Sequence, residues 1–242
     1  MFKTDKKILI TGGSGALGSS IRKILDCDAP DSKTLNITSF NNCISYINKT
    51  DPDIVIHCAA WTDVAGAEKN KEGCWSINVR GTENMIRAAN GRRFIYISTH
   101  YVFDGERGMY TEKDTPNPVN YYSLTKLIGE AIIGQYPNTL IIRTGLKKDG
   151  SWPYNKAFVD QWLCSDFASE RAPDVVRAAL MNELVGLIHI SGERKSVYEL
   201  ARKVSPEVGE MSINDVNVKL PKDVSLDSSL WKKILQNHKR KI

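Results

Sequence analysis

Two tyrosines and a lysine in the stretch NYYSLTK, residues 120–126, have the side chains best suited to move a proton. On a helix, side chains four positions apart share a face. Tyr122 and Lys126 therefore sit together, whereas Tyr121 lines up with Thr125 and Ile128 and is placed for packing. A free tyrosine titrates near ~10, too high for ready exchange at neutral pH, and a nearby ammonium favours the phenolate and lowers that value. Lys126 can also hydrogen-bond a nicotinamide ribose. A Tyr-x-x-x-Lys spacing recurs by chance, so its meaning depends on its surroundings.

Two features upstream supply that context. FIYIST, ending in Ser98 and Thr99, reads as a buried strand. At the C-terminal end of a parallel strand a hydroxyl points into the crevice where ligands bind; there it can polarise a carbonyl, or simply close a turn. TGGSGALG places Gly12, Gly15 and Gly18 directly after a strand pattern and at the opening of a helix. Such a turn lets backbone N–H groups approach a pyrophosphate at a helix N-terminus. The acidic residue expected ~20 positions later for a ribose 2′-hydroxyl is not clear: Asp31, Ser32 and Lys33 compete for the place. Ser32 and Lys33 suit a 2′-phosphate, hence NADPH with NADH as the alternative, or they form only a polar turn.

Positioning these residues takes alternating strands and helices. KKILITGG, DPDIVIHCAA, RRFIYIST, NTLIIRTG and LIHISG read as strands. ALGSSIRKIL, TSFNNCISYINK, KEGCWSINVRGTENMIRAAN, YYSLTKLIGEAIIGQY, APDVVRAALMNEL and SVYELARKV read as helices, the last opened by Ser196 with Glu199 in capping-box position. Strands alternating with helices predict a parallel sheet covered on both faces. After Gly145 the order loosens into KKDGSWPYNKAF, rich in turn formers.

Composition narrows the partners. A length of 242 residues with 41% hydrophobic and 25% charged content suits one large domain or one with an appendage. The net charge of +5 is concentrated in the tail LWKKILQNHKRKI, which reads as a solvated, partly frayed end. With no basic stripe interleaved with aromatics, nucleic acid is not the expected partner. Cys27, Cys43, Cys58, Cys74 and Cys164 are dispersed, arguing against a disulfide framework or a metal site and for a reducing compartment. No signal-peptide pattern and no membrane-length apolar run appear, so a cytoplasmic setting is expected.

GGSGALG, DIVIHCAAWTDV, INVRGT, YISTHYVFDG, PNPVNYYSLTKLIGE and IIRTG occur in this order. Together they resemble the extended short-chain dehydrogenase/reductase superfamily, and within it the dTDP-4-dehydrorhamnose reductase (RmlD-like) family. The resemblance is specific over residues 6–146 and thinner through LIHISG and SVYELA to SLDSSLWKK. It implies an α/β fold, a Rossmann-type doubly wound parallel sheet with a small C-terminal α/β substrate-binding part. Residues 1–146 would carry the cofactor and catalytic residues and residues 147–242 the substrate part, some of whose elements return to the main sheet.

By the same resemblance, the catalytic residues fall on Thr99, Tyr122 and Lys126. The phosphate-binding turn falls on Gly12, Gly15, Ala16, Leu17 and Gly18, and further cofactor contacts on Asn36, Ile37, Ala60, Trp61 and Thr62. Substrate contacts fall on Thr99 and His100. The implied chemistry is hydride transfer from NADPH to C4 of a nucleoside-diphosphate-linked 4-keto-6-deoxy sugar, with Tyr122 as proton donor. The expected partner is that nucleotide sugar, with no membrane and with a homodimer allowed.

The chain departs from the family pattern in two places. His100 stands where the family carries an aspartate; it suits pairing with a substrate group, but a neutral strand-end histidine facing solvent is the favoured reading. Leu146 occupies the place of a substrate-side tryptophan, and Trp152 is a candidate substitute or a core residue. Tyr101 stands where the similar GDP-fucose synthases use a cysteine, so reduction without epimerisation is expected. A regulatory role remains the other reading, since the methionine adenosyltransferase β subunit resembles the same family; a dinucleotide-binding redox sensor would explain only the glycine turn.

Overall fold

The apolar runs pair side by side, and their alternation sends successive residues to opposite faces of one sheet. The structure, a computed structural model, describes residues 1–217 and 220–239. Its main strands are β1 (Ile8–Thr11), β2 (Ile54–His57), β3 (Arg93–Thr99) and β4 (Thr139–Thr144). Short strands follow: β5 (Leu146–Lys147), β6 (Lys156–Phe158), β7 (Trp162–Leu163), β8 (Asp166–Phe167), β9 (Gly186–His189), β10 (Lys195–Ser196) and β11 (Gly209–Met211). The helices are α1 (Ala16–Arg22), α2 (Phe40–Thr50), α3 (Val64–Lys69), α4 (Lys71–Trp75), α5 (Thr82–Ala89), α6 (Tyr121–Ile133), α7 (Ala168–Leu180), α8 (Val197–Arg202) and α9 (Ser229–Lys239).

The central sheet has the order β1-β2-β3-β4-β9, with every neighbouring pair parallel. One face buries Ile8, Ile10, Ile56, Ile95 and Ile142 against Leu17 and Ile21 of α1 and Val175 and Val176 of α7. The other buries Leu9, Val55, Phe94 and Tyr96 against Cys43 and Ile47 of α2, Met85 of α5 and Ile133 of α6. Burial on both faces is why these strands read as unbroken apolar runs. The fold is thus the α/β class expected, a Rossmann-like parallel sheet of five strands. Between α1 and α2 the chain adds only a bridge to the sheet: Asp28 donates to the Ile8 carbonyl at 2.9 Å and accepts from Ile10 N–H at 2.8 Å.

Past β4 the chain makes three two-stranded sheets, β10-β7, β11-β6 and β5-β8, around a separate cluster that includes Leu163, Val197, Leu200 and Val224. β9 and α7 return to the main sheet and its cover.

Two expectations are corrected. The basic tail is not solvated throughout: residues Ser229–Lys239 form α9, and Trp231 is buried against the sheet cluster, while residues 240–242 of that tail lie outside the described residues. Trp231, Ile234 and Leu235 supply a helical apolar stripe that outweighs the surrounding charge. The long helix expected over KEGCWSINVRGTENMIRAAN is α4 and α5 joined by a π-helix, Ser76–Gly81. That widened turn carries Asn78 into the interior.

Candidate active site

The C-terminal ends of β3 and β4 lie in register, with Thr99 opposite Thr144, and Thr99 opens a short 3₁₀ turn by accepting from the Tyr101 N–H at 3.2 Å. α6 starts where Asn120 caps it, accepting from the Ser123 N–H at 2.9 Å and from the Ser123 hydroxyl at 2.7 Å. That cap fixes the first turn, so Tyr122 lies over the strand ends and Lys126 one turn deeper, both buried. Tyr121 is half-buried beneath the Lys71 ammonium, which stands 5.4 Å from its ring centre, and its N–H is tied to Glu68 at 2.8 Å. The structure brings Thr99, Tyr122 and Lys126 together and leaves Tyr121 outside.

Burial pushes the Tyr122 phenol well above its ordinary value, and the adjacent Thr99 hydroxyl offsets this only in part. The expected lowering by Lys126 is therefore not what the structure gives. The lysine ammonium turns away, donating to the Ile97 carbonyl at 2.9 Å and lying 4.0 Å over the Tyr96 ring. Lys126 itself is lowered to about 7 by burial, with Glu130, Cys58 and Cys74 acting in the opposite direction. His57, buried beside it, bonds Thr11 Oγ1 at 2.7 Å and Thr82 Oγ1 at 3.2 Å. Burial and then the Lys126 charge lower it to about 3, so it is a neutral strut.

A groove of about 290 Å³ opens at the ends of β1 and β2, lined by Gly12, Ser32, Asn36, Ile37, Ala59 and Ala60 among others. Gly12 has φ +71°, and a β-carbon there would stand 2.6 Å from the Ala59 nitrogen. Only glycine holds this turn against β2 without strain. A β-carbon on Gly18 would collide with the Gly12 carbonyl oxygen, so Gly18 packs the helix on the turn. Of the other expected cofactor residues, Gly15, Ala16, Leu17, Lys33, Trp61 and Thr62 do not line the groove. Lys33 and Thr62 are exposed; Trp61 is anchored through its ring N–H to the Asp63 carbonyl at 2.9 Å. The Asp31 carboxylate is occupied by the Lys33 and Thr34 N–H groups, at 3.1 and 2.8 Å, leaving Ser32 as the side chain at the rim. Thr99, Tyr122 and Lys126 are not among the groove's lining residues; its wall residues Ala59 and Ala60 follow Cys58, which lies near enough to Lys126 to bear on its charge.

His100 is buried, not solvent-facing as expected, because Gly145 and Ser165 from the C-terminal part close over it. Burial, aided by Lys147, lowers it to about 3, so it is neutral. Trp152 packs with Tyr101 in the C-terminal cluster and donates its ring N–H to the Lys156 carbonyl at 3.2 Å.

Two supports escaped the sequence reading. Asn78 accepts from the Trp61 N–H at 2.8 Å, and donates to the Trp61 carbonyl at 3.1 Å and to Thr125 Oγ1 at 2.9 Å, pinning the groove wall to α6. Glu130, one turn past Lys126, pairs with Arg143 at 2.7 Å and accepts from Ser98 at 2.5 Å. Ser98 thus braces the helix while Thr99 faces Tyr122. The signal for Glu130 was its i+4 spacing from Lys126; Asn78 lay in a helix pattern with nothing to mark it as buried.

The family model described as the RmlD substrate binding domain matches residues 6–163. The chain is 29% identical to the dTDP-4-dehydrorhamnose reductase of Aggregatibacter actinomycetemcomitans over 75% of this chain and 60% of that protein. It is 32% identical to methionine adenosyltransferase 2 subunit beta of Danio rerio over 57% of this chain and 47% of that one. It therefore spans about half to three-fifths of these relatives' length. Among solved structures, one described as a hypothetical dTDP-4-dehydrorhamnose reductase from Sulfolobus tokodaii superposes with TM-score 0.84 at 32% identity, over 94% of each chain. The Bacillus anthracis dTDP-4-dehydrorhamnose reductase, solved in complex with NADP, has TM-score 0.87 at 24% identity, over 99% of this chain and 100% of that one.

Proposed function

The chain belongs to the RmlD substrate-binding family of extended short-chain dehydrogenases/reductases, and on that footing we propose that it reduces the 4-keto group of a nucleoside-diphosphate-linked 4-keto-6-deoxy sugar using NADPH. The observation that carries this reading is that Thr99 and Tyr122 meet at the C-terminal ends of the strands, with Lys126 one turn deeper on α6, while a groove behind a positive-φ glycine opens at the ends of the neighbouring strands β1 and β2.

The residues fit a nicotinamide dinucleotide. The Gly12 cradle has no room for a β-carbon, and the Ser32 hydroxyl without a free carboxylate at the rim favours the 2′-phosphate form. When bound, the reduced nicotinamide supplies the hydride to C4. Thr99 orients the keto oxygen by hydrogen bonding. Tyr122, held protonated by burial, donates its phenolic proton to that oxygen as negative charge develops. Lys126, lowered to about 7, exchanges a proton at neutral pH; to bond a cofactor ribose its ammonium would have to leave the Ile97 carbonyl it holds here.

The test is NADPH oxidation with dTDP-, UDP- and GDP-linked 4-keto-6-deoxy sugars, including 2-acetamido forms. Turnover on one or more supports the reading; tight NADPH binding without turnover on any contradicts it. Equal efficiency with NADH would refute the 2′-phosphate preference. The similarity to methionine adenosyltransferase 2 subunit beta favours a second reading, a non-catalytic NADP-binding regulatory subunit. Under that reading the protein binds NADPH and a partner chain, and Tyr122→Phe changes neither.

A further inference from the structure

Beyond Thr144 the chain turns at Gly145 and runs through β5, which ends on Lys147. The Lys147 ammonium stands 5.6 Å from the centre of the Trp152 ring and forms no ion pair among the described residues. Near it are two buried polar atoms without hydrogen-bond partners among the described residues, His100 Nδ1 and Ser165 Oγ. His100 Nδ1 and Ser165 Oγ converge over Gly145, where a β-carbon would collide with both. His100 and Ser165 are only 5% and 1% exposed. Buried polar groups are ordinarily paired, and an unpaired, partly buried cation is costly to hold. Two converging orphans with a partnerless ammonium close by are the signature of a missing anionic ligand.

The place adjoins the reacting groups. His100 follows Thr99 in the chain, and its ring meets Tyr101 edge-on at 4.7 Å. Tyr101 packs both with the Tyr122 cluster and with the Trp152 cluster, so it joins the two. His100, neutral, can only donate or accept a hydrogen bond, which leaves Lys147 as the charge.

We propose that Lys147, with His100 and Ser165 beside it, forms an anion-binding site next to Thr99 and Tyr122 that takes a phosphate oxygen of the sugar nucleotide. This inference rests on the sugar-nucleotide reading above. A charge-assisted hydrogen bond supplies affinity, and the aromatic face of Trp152 keeps the ammonium in position without neutralising it.

The experiment is calorimetric titration of the NADP-loaded full chain with UDP, dTDP and GDP, and with UDP-glucose. Wild type is compared with Lys147→Gln and Lys147→Arg, and thermal melting confirms that each variant is folded. The expected result is a loss on the order of 10–100-fold in affinity for the bound nucleoside diphosphate in Lys147→Gln. Lys147→Arg should retain most of it and NADPH affinity should not change. That outcome assigns the anion to the diphosphate. Equal binding of every ligand by wild type and Lys147→Gln overturns this inference alone. A wild type that binds none of them overturns the sugar-nucleotide reading and the site with it.

Discussion

Lys126 donates its ammonium proton to the carbonyl oxygen of Ile97 at 2.9 Å, placing a cation inside the sheet-facing side of α6, two residues before Thr99 in the strand. The protein holds this charge where burial opposes it, lowering the lysine to about 7. Catalysis accounts for such an arrangement better than stability does, because a methylene in its place would be easier to bury.

The cost is measurable. Unfolded, a lysine keeps its proton to ~10.4; folded, Lys126 releases it near about 7. Between those values the unfolded chain holds the extra proton, so this group makes stability rise with pH; below about 7 its full penalty is present. Lys126→Met should therefore melt higher than wild type without cofactor at about pH 6, with the gain shrinking at about pH 9. Equal gains at both values would contradict the shift.

Tyr122→Phe removes the proposed proton donor without changing the fold around it. The variant should lose ~10²–10⁴-fold in kcat while keeping NADPH affinity. Tyr121→Phe, which alters a half-buried ring outside the triad, should be close to wild type. Steady-state kinetics of the two variants decides the register.

Gly12→Ala forces a β-carbon into a φ of +71° and to within 2.6 Å of the Ala59 nitrogen. The backbone strain alone costs roughly 1–3 kcal/mol. The turn must also shift, so urea unfolding should show the destabilisation and fluorescence titration a loss of NADPH binding.

The Glu130–Arg143 pair is buried on both sides, at 6% and 5% side-chain exposure. Glu130→Leu or Arg143→Leu strands a charge and should cost ~3–5 kcal/mol each. The double variant should be less damaged than the sum of the two, because no uncompensated charge remains. Denaturant unfolding of all four proteins closes the cycle.

The parts legible in the sequence were those whose signal is local. Gly12 and Gly18 announced a turn because only glycine fits such a conformation or such close packing. Tyr122 and Lys126 shared a helix face by count, and Ser196 with Glu199 formed the capping box that opens α8. The parts that stayed hidden depend on distant chain. His100 looked like a strand-end residue because nothing near it in sequence shows that Gly145 and Ser165 cover it. The Tyr122 phenol was expected to be lowered by a lysine four residues on, but the ammonium has a better partner in Ile97. The π-turn that buries Asn78 inserts its extra residue through hydrogen bonding, which leaves no mark in the apolar pattern. α9 was hidden by its own charge, although Trp231 and Ile234 already marked a buried stripe.

The most direct measurement is isotope transfer. The protein is incubated with NADPH carrying deuterium at the transferable position and the 4-keto-6-deoxy sugar nucleotide that gives turnover, and the product is read by NMR. The account predicts one deuterium at C4 of the sugar in a single configuration, and none with Tyr122→Phe in the same interval. Deuterium at another carbon, or no incorporation from any sugar of the panel by a protein that binds NADPH, would contradict it.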